Sequence, residues 1–142
     1  MTFMVQFPID ANPVPKGRPK FSKIGGFVRT YTPRKTSDYE TIVRETAKQA
    51  MGPTEVLETP VAVYLYIRLP IPKSYPKKRL EACLRGFERP TKKPDIDNLA
   101  KSVLDGLNGV VYVDDGQIVS LHVTKVYSSA PGVDVLIKEE LP

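Results

Sequence analysis

The 142-residue sequence contains no tryptophan, one cysteine and one histidine. Its single cysteine, Cys83, excludes an internal disulfide and any zinc site built from several cysteines. No stretch approaches the ~20 apolar residues needed to span a bilayer, and the N-terminus lacks the pattern of a signal peptide. Internal repeats and low-complexity segments are also missing. We therefore expect one cytoplasmic domain over residues 1–142, without membrane association.

Positive and negative charge are divided unevenly along the chain. Residues 1–94 carry 18 Lys/Arg against 8 Asp/Glu, a net charge of +10, whereas residues 95–142 carry 3 against 8, a net charge of −5. A basic body beside an acidic cluster is typical of a protein that holds a polyanion while metal-bound carboxylates meet its phosphates. A solvated surface without a ligand gives the same totals, so charge alone leaves both interpretations open.

Hydrophobic periodicity predicts an α+β fold, a single domain with a mixed β-sheet and two main helices packed on it. The helix that follows Pro33 contains Ser37 and Glu40 at the spacing of a capping box. The predicted helices span residues 34–51, 77–84 and 97–108, the last capped by Asp97 or Asn98. The predicted strands span residues 2–9, 27–31, a stretch within 56–69, 110–113, 117–127 and 133–138.

Basic residues are concentrated in residues 10–27, which we call the basic arm. Its prolines exclude a helix interior, so its lysines and arginines project from an extended loop. Gly25 and Gly26 predict a turn that folds the end of the arm into a hairpin. The residues expected to face DNA, in the arm and elsewhere, are Lys16, Arg18, Lys20, Arg29, Arg34, Lys35, Lys92 and Lys93.

The segment from residue 92 to residue 126 holds most side chains that can do chemistry. In an extended chain Asp95 and Asp97, two residues apart, face the same side. In the predicted helix Asp97, Lys101 and Asp105 share one stripe, away from the apolar side. The simpler interpretation is a ladder of exposed salt bridges worth ~0.3 to 0.5 kcal/mol per pair, and we adopt it for Asp105.

Carboxylates without a histidine or thiolate among them are ligands that suit Mg²⁺ or Mn²⁺. Such a site can activate water for attack on a phosphate, with Lys101 contacting the scissile phosphate or the leaving oxygen. Asp114 and Asp115 reach the same point only through tertiary folding, and next to Gly116 they also suit a turn. We expect His122, alone on a predicted strand, to be structural or exposed.

The stretch PDIDNLAKSVLDGLNGVVYVDDGQI resembles the signature of the RusA-type Holliday junction resolvases. It contains D-x-D-N-x-x-K, then L-D-x-L-N-G, then V-x-x-D-D-x-Q-I. The stretches PVPKGRPKF and VRTYTPRKTSDYE are similar to the phage and prophage branch of that family. The resemblance implies a small homodimeric α+β endonuclease of DNA recombination and repair, which uses Mg²⁺ to nick two strands of a four-way DNA junction symmetrically.

Carried over position by position, the resemblance implies that Asp95, Asp97 and Asp115 are the metal ligands and that Lys101 is the catalytic lysine. Asp114 is a weaker candidate for the third ligand and is otherwise a turn residue or a support for the ligands. A dimer would present two equivalent sites to a junction that is itself roughly two-fold symmetric.

Two other functions fit parts of the sequence. In a non-catalytic nucleic-acid-binding protein, the acidic residues would only cap the helix and shape the turn. A metal-dependent hydrolase of small phosphate esters would use the carboxylates but would leave the charge of +10 over residues 1–94 unexplained.

Overall fold

A computed structural model describes residues 2–17 and 20–142 of the chain. The strands are β1 (Met4–Ile9), β2 (Lys20–Ile24), β3 (Phe27–Tyr31), β4 (Val61–Pro70), β5 (Ile118–Ser128) and β6 (Gly132–Glu139). The helices are α1 (Arg34–Met51), α2 (Lys77–Leu84) and α3 (Ile96–Leu107), and a 3₁₀ turn (Asp115–Gln117) precedes β5. In the described ranges, no helix has both the length and the apolar character that a bilayer crossing requires.

Four strands form one sheet in the order β1-β6-β4-β5. Strand β4 pairs in parallel with β5 and antiparallel with β6, and β1 pairs antiparallel with β6. Strands β2 and β3 form a separate antiparallel hairpin around Gly25 and Gly26, as the sequence predicted. The mixed sheet with its helices confirms the expected α+β fold.

The core lies between one face of the sheet and helices α1 and α3. Alternate residues of β4, among them Val63 and Ile67, are fully buried and face it. The two helices approach each other closely at Gly106 of α3, where an added Cβ would lie 2.8 Å from the Cβ of Val43 on α1. The absence of a side chain at position 106 is therefore what lets α3 pack against α1.

The predicted capping box of α1 is wrong. Pro33 occupies the N-cap and supplies no side-chain hydrogen bond. Ser37 lies inside the helix, where its hydroxyl donates to the carbonyl oxygen of Arg34 over 3.0 Å. Glu40 is drawn away by Lys16, whose ammonium lies 2.6 Å from it. An ion pair across 24 residues thus replaces the local cap.

Three further predictions near the acidic segment are wrong. Helix α3 begins at Ile96 with Asp95 at its N-cap, so neither Asp97 nor Asn98 caps it, and the extended-chain argument for Asp95 and Asp97 does not apply. Residues 110–113 form a turn with isolated bridges at Tyr112 rather than a strand. Val111 and Tyr112 of that turn are fully buried, so the segment has the apolar composition of a strand without its pairing.

Candidate functional site

The chain that enters α3 is held by a lysine of the sheet. Lys125 of β5 pairs with Ile67 of β4, on the face that meets the core. Its ammonium donates to the carbonyl oxygens of Lys92 and Pro94, both over 3.0 Å. Hydrogen bonds from a charged donor are among the stronger ones in proteins. Lys125 therefore fixes the backbone that leads directly into Asp95.

Asp95 and Asp97 stand exposed at the start of α3. The backbone carbonyl of Asp95 accepts the first helical hydrogen bond, from Leu99 over 3.1 Å, while its side chain makes no capping bond. Neither carboxylate forms a salt bridge with any other side chain that the structure describes. Both are thus available to a ligand, and Asp97 lies one turn before Lys101 on the same side of the helix.

Lys101 lies between two carboxylates. Its ammonium is 3.1 Å from Oδ1 of Asp105 and 3.6 Å from Oδ2 of Asp115. The hydrogen bond to Asp105 raises the pKa of Lys101; partial burial opposes this, and the negative charge of Asp115 adds to it. Lys101 is therefore a permanent cation near neutral pH, which suits contact with a phosphate better than proton donation.

The two adjacent aspartates before β5 have different roles. Oδ2 of Asp114 accepts a hydrogen bond from the N–H of Gly116 over 2.9 Å, and its own N–H donates to Oε1 of Gln117 over 2.9 Å, which closes a capping box. The amide of Gln117 also donates to the carbonyl oxygens of Leu57 and Thr59. Asp114 is engaged in the turn, and Asp115 is the aspartate that reaches Lys101.

Tyr112 holds this turn against α3, and the sequence analysis missed it. The side chain is fully buried, and its hydroxyl donates to the carbonyl oxygen of Leu104 over 2.9 Å. Burial raises the pKa of Tyr112, and the carboxylates of Asp115, Asp105 and Asp114 act in the same direction, so the phenol stays protonated. A tyrosine among valines looks like part of a strand, so the sequence carried no signal of this contact.

The basic arm is anchored to the same helix. The ammonium of Lys16 lies 3.0 Å from Oδ2 of Asp105 in addition to its contact with Glu40. Burial alone would lower the pKa of Lys16, but hydrogen bonds and charge from Glu40 and Asp105 outweigh it and raise the pKa. The backbone N–H of Lys16 donates to the carbonyl oxygen of Asn98 over 2.9 Å. The hydroxyl of Ser102 donates to the backbone carbonyl oxygen of Val14.

The residues expected to face DNA are placed unevenly. Arg34 and Lys35 are exposed at the start of α1, and Lys92 and Lys93 are exposed just before α3. Arg18 lies outside the described residues, and of Lys20 and Arg29 only the backbone in β2 and β3 is described. A groove of about 520 Å³ runs beside the start of α3. It is lined by Pro13, Pro15, Lys16, Leu69, Pro70, Lys93, Pro94, Asp95 and Asn98.

The proposed metal ligands have the right chemistry but are not gathered at one point. Across residues 2–17 and 20–142, no three acidic, histidine or cysteine side chains lie together as a metal site would require. The set Asp95, Asp97 and Asp115 offers only oxygen donors, which is what Mg²⁺ prefers. Two of its members neighbour Lys101, Asp97 through helical spacing and Asp115 through the 3.6 Å contact. The donor chemistry therefore suits Mg²⁺, whereas the three carboxylates are not brought together among the described residues.

Comparison with known proteins identifies the class. A profile of endodeoxyribonucleases, described as Endodeoxyribonuclease RusA, matches residues 10–138, nearly the whole chain and all the site residues above. The chain thus belongs to the RusA endodeoxyribonuclease family. It is 39% identical over 137 residues to the uncharacterized protein YqaN of Bacillus subtilis, covering 95% of this chain and 96% of that one. It is 28% identical over 143 residues to the crossover junction endodeoxyribonuclease rusA of Lactococcus phage r1t, covering 98% and 99%.

Proposed function

We propose that this chain is a Mg²⁺-dependent endodeoxyribonuclease that resolves four-way DNA junctions. The observation that carries the proposal is the contact of Lys101 with Asp115, which brings a carboxylate from the 3₁₀ turn to the exposed stripe of α3. The family description and the printed name of the phage relative support the reaction and the substrate.

In this proposal Asp95, Asp97 and Asp115 hold the ion, for which Mn²⁺ can substitute. When bound, Mg²⁺ supplies an activated water and neutralises charge on the phosphate under attack. Lys101 has two roles that follow from its position. It offsets the repulsion between carboxylates in the absence of substrate, and its ammonium is a fixed positive charge for the scissile phosphate or the leaving oxygen.

The backbone of the DNA would be held by the basic residues around the site. Lys92 and Lys93 precede Asp95 directly, so phosphates bound by them would lie next to the proposed ligands. The further contacts that we propose are Lys16, Arg18, Lys20, Arg29, Arg34 and Lys35. Lys16 is kept in this set although its charge is already compensated by Glu40 and Asp105.

We further propose that two copies of the chain act together as a homodimer. A junction has two strands to be cut at equivalent positions, and one copy provides one set of Asp95, Asp97, Asp115 and Lys101. Two-fold symmetry would place one such set at each strand and give paired, symmetric nicks.

The test is a cleavage assay on a synthetic four-way junction, a duplex and a single strand, each with and without Mg²⁺. We expect Mg²⁺-dependent nicking of the junction, lost in Asp97→Asn with binding retained. Glu81→Gln, which also removes one exposed carboxylate but from helix α2, outside the acidic segment, is the matched control and should cut normally. Normal cutting by Asp97→Asn would refute the assignment.

The same assay, with a small phosphodiester added as a fourth substrate, separates the other two functions. Salt-sensitive binding of DNA without metal-stimulated cutting would identify a non-catalytic binding protein. Turnover of a small phosphodiester without cutting of branched DNA would identify a hydrolase of small esters.

A further inference from the structure

Asp105 has a different environment from that of an exposed salt-bridge partner. Only 18% of its side chain is accessible, against 52% for Lys101. Its two oxygens bind two different lysines: Oδ1 lies 3.1 Å from Lys101 and Oδ2 lies 3.0 Å from Lys16. One carboxylate thus joins the basic arm to the lysine that contacts Asp115.

The second lysine restricts the carboxylate. In a simple i, i+4 pair the aspartate can rotate and lose its partner at little cost, since such pairs contribute only ~0.3 to 0.5 kcal/mol. Here rotation away from Lys101 would also break the contact with Lys16, which is only 22% exposed. Lys16, bound to the other oxygen of the carboxylate, therefore keeps Asp105 in contact with Lys101.

The position of Lys16 is itself fixed by the backbone around it. The N–H of Lys16 is bound to Asn98, and that of the next residue, Gly17, donates to the hydroxyl of Thr36 over 3.0 Å. A Cβ at Gly17 would lie 2.8 Å from Cγ of Pro33, so the arm passes α1 too closely for a side chain. Lys16 is thus a rigid support rather than a flexible surface lysine.

We propose that Asp105 is a positioning residue for Lys101, an inference that rests on the proposed function. It binds Lys16 through one oxygen and Lys101 through the other, and so it fixes the Lys101 ammonium beside Asp115. Displacement of a charged group by an ångström can slow a reaction by about 100-fold. Asp105→Asn should therefore slow single-turnover nicking of a junction by about 10- to 100-fold while junction affinity changes by less than about threefold.

A double-mutant cycle tests whether Asp105 acts through Lys101. In a Lys101→Met background the change Asp105→Asn should alter the nicking rate by less than about twofold, because the group that it positions is gone. An equal slowing in both backgrounds would overturn the proposal. Glu40→Gln is the matched control, since it removes a carboxylate from Lys16 but none from Lys101, and it should cut at nearly the normal rate.

Asp105→Glu extends the cycle and covers the case in which Asp105→Asn does not fold. It keeps the charge, so it should cut more slowly than the unchanged protein but faster than Asp105→Asn, and it too should have no effect in the Lys101→Met background. An Asp105→Glu effect that persists in that background would overturn the proposal.

The contact can also be measured without DNA or metal. In a ¹⁵N-labelled protein the ammonium signal of Lys101 is identified by its loss in Lys101→Met. We expect that signal to shift and to exchange faster with water in Asp105→Asn, and to remain in place in Glu40→Gln. An unshifted signal would refute the role of Asp105 whether or not the protein cuts junctions, whereas a shifted signal in a protein that cuts nothing would refute the proposed function alone.

Discussion

Replacing Tyr112 by phenylalanine removes one oxygen atom from the contact that joins the Asp115 turn to α3. The hydroxyl of Tyr112 satisfies the carbonyl of Leu104, one of the last four carbonyls of the helix. The backbone N–H of Asn108, which would ordinarily bind that carbonyl, donates instead to the backbone carbonyl oxygen of Asp105 over 3.3 Å. In Tyr112→Phe the carbonyl of Leu104 therefore loses its partner in a fully buried place.

The cost follows from the burial of that carbonyl. A buried hydrogen bond contributes about 0.5 to 1.5 kcal/mol net, and an acceptor left without a partner costs about 1 to 3 kcal/mol. We expect the free energy of unfolding to fall by about 1 to 2 kcal/mol. For a chain of this size that corresponds to a melting temperature lower by about 3 to 8 °C.

Tyr39 of α1 provides the matched control. It is also buried, with 2% of its surface accessible, but its hydroxyl has no hydrogen-bond partner among the described residues. Tyr39→Phe should leave the free energy of unfolding unchanged or raise it by up to about 1 kcal/mol, because it removes a desolvated polar group. Both variants are measured by urea unfolding and by calorimetry at pH 7.

Comparing Tyr112→Phe with Tyr39→Phe tests whether the hydrogen bond of the Tyr112 hydroxyl stabilises the fold. Equal melting temperatures for Tyr112→Phe and the unchanged protein, or equal losses for the two variants, would refute the role given to the Tyr112 hydroxyl. A loss confined to Tyr112→Phe would confirm that the turn is held to α3 by this bond.

Three further changes test other parts of the structure. Lys125→Met removes both hydrogen bonds to residues 92–94, so hydrogen–deuterium exchange should become faster there and nicking should become slower. Gly106→Ala should lower the free energy of unfolding in calorimetry, because overpacking against α1 costs about 1 to 3 kcal/mol and outweighs a gain in helix propensity of about 1 kcal/mol. The N–H of Phe3 and then a threonine hydroxyl lower the pKa of Glu139, so Glu139→Gln should melt below the unchanged protein at pH 7, and this gap should close as the pH falls below about 4.

Each of these outcomes has a clear opposite. Lys48→Met, at an exposed lysine of α1, controls for loss of charge, and faster exchange in both lysine variants would contradict the role of Lys125. A higher melting temperature in Gly106→Ala would contradict the expected overpacking between α3 and α1. A gap for Glu139→Gln that widens in acid would contradict the sign of its pKa shift.

Much of the fold followed from the sequence because local signals and tertiary packing agree there. Helices α1 and α2 have the predicted bounds, since Pro33 and Pro76 precede them and their apolar residues repeat at helical spacing. Strand β4 was predicted because Val61, Val63, Leu65 and Ile67 alternate along one face, and the structure buries all four. Periodicity is a reliable signal wherever a whole face of an element is buried.

The failures lie where one long-range contact decides the conformation. Residues 110–113 were predicted as a strand because Tyr112 and its neighbours are apolar, yet the hydroxyl of Tyr112 binds a carbonyl eight residues earlier. Glu40 was assigned to a local cap, and Lys16 pairs with it across 24 residues. The contact of Asp105 with Lys16 was missed for the same reason, since the i, i+4 spacing indicated Lys101 but gave no sign of Lys16.

The structure also distinguishes two aspartates that spacing left equivalent. Both belong to the DDGQ turn, and the resemblance alone favoured the second. In the structure Asp114 caps the 3₁₀ turn while Asp115 reaches Lys101, which supports that choice. The proposal that Asp95, Asp97 and Asp115 hold the metal still depends on a measurement of function.

The rate of Mg²⁺-dependent nicking of a four-way junction by Asp115→Asn and Asp114→Asn tests the central claim most directly. Each variant replaces one carboxylate by an amide of the same size, and the amide oxygen at position 114 can still accept the bond from Gly116. We predict that Asp115→Asn binds the junction without cutting it, whereas Asp114→Asn cuts at close to the normal rate. Normal cutting by Asp115→Asn, or loss of cutting in Asp114→Asn alone, would contradict the proposed site.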